Sequence, residues 1–580
     1  MTDAAAVDDG TIDKATWLAI GAMALAVFAI ANDFTAMNVV LPTIEAELDT
    51  DLSNVQWVVN GYALVFGVLI VPGGRLADIF GRTKILYVGA AVFAGCSLLG
   101  GLAPNVWLLI GARVLMGVGG AMMWPAILGL IYALLPASKA GLAGGLVIGV
   151  AGIGNAAGPI IAGALAELSW RYIFFLNVPI ALAAILVTWK AVHVTSPTER
   201  EPIDYAGTVL LSVSLISLLG ALTVAPTSGW TDPVVLVGFV LSAVTMVGFV
   251  LRERSAGDGA LVPATVMRTP AFLWSCLAVL AMSATFFTTL LYLPQFFQKI
   301  LGEGTLGAGL MLFPFVGVFA MASFVETWLL HRIGMKAVLT VGAGCILAGP
   351  LLFVLLIRED SGYVALLPGM MVLGVGIGLF YSSVTTAALT ALDPARSSLA
   401  GGLLYMFQIA GGAVGLGVST ALFLVVSGNE IDTAATQVGV TLSSGEVADI
   451  QGVLAGTDTS AQVLAAHPQQ AAQLTEVVRD AFMVGMRWVF VLDLVLAAVG
   501  FAMAAAKVGG PLSRFGRDIG SDEDPVGSAG SGSGSAGGPA GVGSDGPASV
   551  ESDGDGPVSG REPVLAGHHH LRRHGHRHTP

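Results

Sequence analysis

The sequence predicts an all-α polytopic membrane protein: two six-helix bundles related by an internal repeat, with two extra helices inserted between them. Three observations lead there. Of 580 residues, 55% are hydrophobic and 11% charged, with mean hydropathy +0.81, a balance outside the range of soluble domains. Apolar stretches of about 20 residues, each enough for about 30 Å of hydrocarbon, recur from Trp17 to Ala505. Related segments return at a spacing near half of the membrane region.

The expected spans, fourteen in all, are 16–41, 54–73, 85–103, 106–135, 141–166, 171–190, 205–225, 233–251, 271–297, 305–330, 337–357, 363–391, 398–427 and 481–505. The flank of the first holds Lys14 as its one basic residue and lacks a small-residue cleavage pattern, so the segment is expected to stay as a helix instead of being removed as a signal. Basic residues then mark every second connection. Arg75, Arg82 and Lys84 follow span 2, Lys139 follows span 4, and Lys190 and Arg200 follow span 6. Arg252, Arg254 and Arg268 follow span 8, Arg332 and Lys336 span 10, and Arg396 span 12. The alternate connections hold essentially Arg171, Lys299, Arg358 and Arg479, so both termini are expected in the cytoplasm.

This divides the chain into a cytoplasmic N-terminus (1–15), a first bundle (16–190), a linker with two extra helices (191–270), a second bundle (271–505) containing an external loop (428–480), and a tail (506–580). The tail, rich in Gly, Ser and His, cannot bury a core and is expected to be disordered and cytoplasmic. Its His568, His569, His570, His574, His576 and His578 are a metal-binding composition, but in such a tail they are not assigned a site. The net charge of -13 comes largely from acids outside the spans and implies no nucleic-acid partner. Cys96, Cys276 and Cys345 lie in apolar spans and read as packing, with neither a disulfide framework nor a metal site.

The repeat pairs LLIGARVLMGVGG (108–120) with LLPGMMVLGVGIG (366–378), and LPASKAGLAGGL (135–146) with DPARSSLAGGL (393–403). In this register Met371 stands where Arg113 does. GRLADIFGRTK (74–84) has a fainter echo in TWLLHRIGMK (327–336), where Thr327 replaces the first glycine and His331 the acid. A latch built on this loop is therefore expected in the first half only.

These motifs together resemble the fourteen-helix drug:proton antiporters of the major facilitator superfamily. GRLADIFGRTK matches that superfamily's loop signature through Gly74, Asp78, Gly81, Arg82 and Lys84. GARVLMGVGGA is similar to its proton-linked arginine motif through Arg113, and GIGNAAGPIIAG to its antiporter motif through Gly154, Gly158, Pro159 and Gly163. DFTAMNVVLP, QWVVNGYAL and SWRYIFFLNVP are typical of the fourteen-helix branch, and the likeness covers nearly all of 16–505. It implies the major facilitator fold.

Each motif also has a physical reading. In the connection after span 2, the glycines permit a tight turn, and Asp78 can accept hydrogen bonds from a helix N-terminus in the other bundle. On span 5 the glycines permit close packing while Pro159 removes a backbone donor and bends the helix. Asn32 and Asp33 interrupt span 1, where an ionised carboxylate costs at least about 2.5–3.5 kcal/mol unless it meets a partner or water. Counting from the span ends puts Asp33 and Arg113 at one depth, which makes Asp33 the candidate proton or substrate-cation carboxylate and Arg113 its tuning partner. A permanently paired, structural Asp33 is the alternative. Asp493 is a second deep acid, and Glu326 one expected near a headgroup region. Tyr62, Trp124, Phe286, Tyr292, Gln295, Tyr381 and Gln408 are candidates for an amphipathic cavity or for packing.

The resemblance implies secondary active export of amphipathic, cationic or zwitterionic compounds across the cytoplasmic (inner) membrane by alternating access. The proton gradient is the expected energy source, with no cofactor, no metal and no enzymatic activity. A small substrate, protons and the bilayer are the expected partners of a monomer. No GxxxxGK[ST] nucleotide loop occurs. Export of a native metabolite or lipid is the alternative, and a non-transporting sensor or a membrane enzyme stands further off.

Overall fold

Two glycines set the first impression of how this chain turns. Gly81 (φ 101°) and Gly334 (φ 83°) each break a pair of long helices with a single residue, in a backbone region that glycine enters without the clash of a Cβ. The computed structural model describes residues 13–50, 52–136, 139–191, 204–256, 260–262, 264–358, 361–393, 396–437 and 471–508. These fall in one unit, 1–522; the other, 523–580, with its histidines, lies outside the described residues.

The helices are α1 (Lys14–Leu48), α2 (Leu52–Phe80), α3 (Arg82–Gly101), α4 (Val106–Leu134), α5 (Ala140–Ala166), α6 (Arg171–Ala191), α7 (Tyr205–Ser228) and α8 (Pro233–Ala256). They continue with α9 (Ala264–Arg268), α10 (Pro270–Lys299), α11 (Thr305–Met311), α12 (Phe313–Ile333), α13 (Met335–Leu356), α14 (Tyr363–Thr390), α15 (Ser397–Gln437) and α16 (Ala471–Lys507). Fourteen of the segments are long and apolar enough to cross a membrane, so the protein is an all-α, multi-pass membrane protein.

Three boundaries differ from the sequence reading. α1 runs on to Leu48, and at this end Glu47 accepts from the Trp170 indole at 2.7 Å and pairs with Arg171 at 3.0 Å. α15 continues unbroken to Gln437, so the expected external loop is shorter; its 438–470 portion lies outside the described residues, as does the tail beyond 508. The tenth span divides into α11 and α12 at Leu312, because Pro314 brings no N–H to bridge the two. Arg75, read as a loop residue, sits on α2 and is buried.

Packing repeats along the chain. α1 lies on α5 and α6, α2 and α3 on α4, and α3 on α6; α10 lies on α15 and α16, α12 and α13 on α14, and α13 on α16 in the same pattern. Close approaches fix the register. A Cβ on Gly117 would meet Tyr62 O and Phe66 N, and one on Gly374 would meet Phe315 O and Phe319 N. Gly117 therefore corresponds to Gly374, which puts buried Met370 opposite Arg113 and moves Met371, 47% exposed, to the outside. The sequence alignment was one residue off because both copies hold runs of alternating glycines.

α7 and α8 pack on each other through Ser214 and Ser242 (2.9 Å) and are tied by Asp204 and Arg252 (3.2 Å). α7 also touches α2 and α15, whereas α8 buries little beyond Val235 and Ser242 and leaves most of its apolar surface exposed.

Candidate functional site

The site grows from contacts between the two sets of helices at the end carrying Gly81. Gly74 lies within α2 and not in the turn, contrary to the sequence reading. A Cβ there would come within 2.6 Å of Ser398 O, so this glycine is required by the approach of α15. One turn on, Asp78 Oδ2 accepts from Leu399 N at 2.8 Å, at the N-terminus of α15 where unsatisfied amides favour an anion. Its other oxygen takes Arg82 Nε at 3.2 Å, and Arg82 also donates to Gly129 O at 3.1 Å. Both side chains are buried, so each charge depends on the other. Lys84 is exposed and outside this contact. In the second half, His331 turns back to Thr327 O at 2.7 Å on its own helix.

The same end is closed by α5 against α12 and α14. A Cβ on Gly145 would collide with Ser323 O, and one on Gly144 would reach Ser382 O at 2.9 Å. Tyr132 and Thr386 hydrogen-bond across the two halves at 3.1 Å. Glu326 is fully buried here, accepting from Ser383 at 2.8 Å, with Oε2 unpartnered among the described residues. The expected reach toward headgroups is thus wrong, because α12 turns this face to α14.

Further along, α1 and α5 are in contact. Gly154 and Gly158 are set against Phe28 O and Asn32 O, each 2.8–2.9 Å from where a Cβ would stand. Pro159 cannot donate to Asn155 O, four residues back; the Thr35 hydroxyl on α1 donates to it instead, at 2.8 Å. Gly163 is different. A Cβ there meets only Leu306 at an ordinary 3.7 Å, so close packing does not demand glycine at this position.

Asp33 and Arg113 meet, both fully buried. Asn177 on α6 donates to the other Asp33 oxygen at 3.0 Å. Arg113 also donates to Val58 O at 2.8 Å and lies 4.3 Å from the Tyr62 ring centroid. Asn32 is buried with its Oδ1 unpartnered among the described residues. Asn177, which the sequence reading left within a motif without a role, completes the carboxylate's shell. Its signal was an amide in an otherwise apolar helix.

Asp493 on α16 is also fully buried. Thr288 on α10 donates to its Oδ2, while Oδ1 is unpartnered among the described residues. The acids thus occupy corresponding interfaces, α1 with α6 and α10 with α16, but among the described residues only the first has a buried cation beside it.

Between the halves lies a cavity of about 480 Å³. Trp124, Phe286, Gln295, Tyr381 and Gln408, singled out from sequence, line it. Tyr62 instead lies under Arg113, and Tyr292 packs on Phe423 at 5.3 Å. Asn155, Gln298 and Tyr405 also line the cavity and were missed; the two amides are polar residues on apolar helices, but which face of the helix they occupy is not marked by the local sequence. α1 presents Ile30, Ala31, Phe34 and Thr35 to the cavity, and α10 presents Phe287, Leu290, Leu291 and Pro294. Asp33 and Asp493 lie outside its lining.

The family description Major Facilitator Superfamily matches residues 23–416. The chain is 31% identical to a tetracenomycin C resistance and export protein of Streptomyces glaucescens, over 84% of this chain and 91% of that protein. It is 32% identical to a probable actinorhodin transporter of Streptomyces coelicolor (77% and 78% covered) and 32% identical to a puromycin resistance protein of Streptomyces alboniger (70% and 81% covered). Its fold is similar to that of the human organic anion transporter MFSD10, with a TM-score of 0.53 at 13% identity, covering 83% of this chain and 99% of the other.

Proposed function

The chain belongs to the Major Facilitator Superfamily, and from that premise we propose that it exports amphipathic antibiotics or similar small molecules in exchange for protons. The resistance and export proteins among its relatives support the direction and the cargo class. The halves meet at the Gly81 end and part around a cavity, an arrangement suited to alternating access.

One observation carries the coupling: Asp493 is a buried acid that can take a proton without losing a partner. Its Oδ1 is unpartnered among the described residues, and Thr288 can keep its bond to Oδ2. Asp33, by contrast, would have to give up Arg113 or Asn177. Glu326, with Oε2 unpartnered among the described residues and Ser383 on its other oxygen, meets the same test; Asp493, bonded to the cavity-wall helix α10, is the proton carrier of this reading, and the Asp33–Arg113 pair holds α1 on α4 and α6. Each proton entering down 100 mV supplies about 2.3 kcal/mol for uphill export.

The test uses proteoliposomes with an imposed pH gradient and an internal pH dye, with puromycin and tetracenomycin C as first cargoes. Asp493→Asn should abolish concentrative transport while leaving cargo exchange in the absence of a gradient. Concentrative, proton-linked transport by Asp493→Asn would place the coupling acid elsewhere, with Asp33 next.

A further inference from the structure

The cavity wall holds more chemical information than its size. None of its lining side chains carries a formal charge. The buried acids Asp33, Glu326 and Asp493 are all outside the lining. Asp33 turns from α1 toward α4 and α6, and Asp493 is held by Thr288 of α10, neither of them a lining residue. A charged side chain that does reach the lining is a cation: Lys299 donates to Gln295 at 3.3 Å.

What the wall offers is aromatic area and amides. Trp124 and Tyr405 lie 4.4 Å apart between ring centroids, and Phe286 and Tyr381, also in the lining, 6.1 Å apart. Asn155, Gln295, Gln298 and Gln408 supply neutral donors and acceptors. The Trp124 indole is 1% exposed, and its Nε1 has no hydrogen-bond partner among the described residues. Indole N–H is a donor only, and buried donors are rarely left without an acceptor.

We propose that this cavity binds uncharged, planar aromatic molecules bearing a carbonyl-type acceptor for the Trp124 N–H, and discriminates against cations. The inference rests on the reading of the cavity as the cargo site. Aromatic faces attract cations, but a buried cation gives up its water, and here no carboxylate on the wall replaces it. A neutral ring system loses little on entering and gains stacking and a hydrogen bond. Coupling must then run through movement of α1 and α10, because cargo and proton share no side chain.

Equilibrium binding to the full-length protein in nanodiscs tests this without any gradient, so its outcome is separate from that of the coupling experiment. The probes are anthracene-9-carboxamide, anthracene-9-carboxylate and the same ring bearing a trimethylammoniomethyl group, followed by quenching of tryptophan emission. The carboxamide should bind at least about tenfold more tightly than the cation, a difference of about 1.4 kcal/mol. Trp124→Phe keeps the aromatic surface and should weaken the carboxamide on the order of fivefold, the worth of one hydrogen bond, while leaving unsubstituted anthracene unchanged; intrinsic anthracene fluorescence reports that variant. Gln408→Glu, or Gln295→Glu if the first misfolds, should narrow the gap by drawing in the cation. Equal or tighter binding of the cation or the carboxylate by the wild type would overturn the proposal. So would carboxamide binding that is unaffected by Trp124→Phe.

Discussion

Removing Asp33 and Arg113 singly and together separates an ion pair that stabilises from one that is merely tolerated. Both side chains have no exposure, so deleting one partner strands the other charge away from water, at about 3–5 kcal/mol. The two singles should not be equal. In Asp33→Asn the guanidinium keeps Val58 O and the Tyr62 face, which places the cost near the lower bound, about 3 kcal/mol. In Arg113→Met the carboxylate keeps only Asn177, and the cost should approach about 5 kcal/mol. The methionine is the residue that the second half carries at the corresponding position, Met370, so that packing is already accommodated by this fold. The double variant loses both charges at once and should cost less than either single change. Equilibrium unfolding in mixed micelles, read by tryptophan emission, gives the three values. If the single costs simply add in the double variant, the pair contributes no mutual stabilisation and its assignment as the clasp of α1 is wrong.

Other outcomes follow from neighbouring contacts. Asp78→Asn keeps an acceptor for Leu399 N but removes the carboxylate charge facing buried Arg82, so it should lower transport at normal membrane abundance and shift the population away from the closed Gly81 end by about tenfold or more; spin-label distances across α2 and α15 measure this. Thr35→Val should destabilise by about 1–3 kcal/mol because Asn155 O loses its donor, and Thr35→Ser should restore it; equal stability of Val and Ser variants in thermal melts would refute the repair role. Gly145→Ala should push α5 off α12, since its methyl would occupy the space of Ser323 O; an unchanged spin-label distance between these helices would show that the contact is soft.

What could be read from the sequence is what one helix at a time reveals. Hydrophobic length gave the crossing segments, and Gly/Pro spacing marked α5 as a closely packed helix without naming α1 as its partner. Asp33 and Arg113 could be paired because both are expensive in hydrocarbon and sit at similar counts from span ends. The shell around them was less accessible: Asn177, Val58 O and Tyr62 come from three different helices, and nothing local marks a backbone carbonyl as a ligand. Gly74 was misread because glycine in a connection motif suggests a turn, whereas here the neighbouring backbone of α15 demands it. Asn155 lay inside a quoted motif, yet its place on the cavity wall depends on helix rotation that a run of small apolar residues does not encode.

The position of the two acids limits how a proton could do work. If Asp493 carries it, the charge appears and disappears at the contact of α10 with α16, outside the cavity lining. An ionised Asp493 would need water or further donors, which the Thr288 hydroxyl alone does not supply. Separation of α16 from α10 would admit them. α10 is also a cavity wall, and α15, packed on both α10 and α16, carries the Leu399 amide held by Asp78. Loss of the proton therefore bears on the same helix whose end clasps the first half, so a local demand for water at Asp493 becomes a force on the closed end without any contact between proton and cargo.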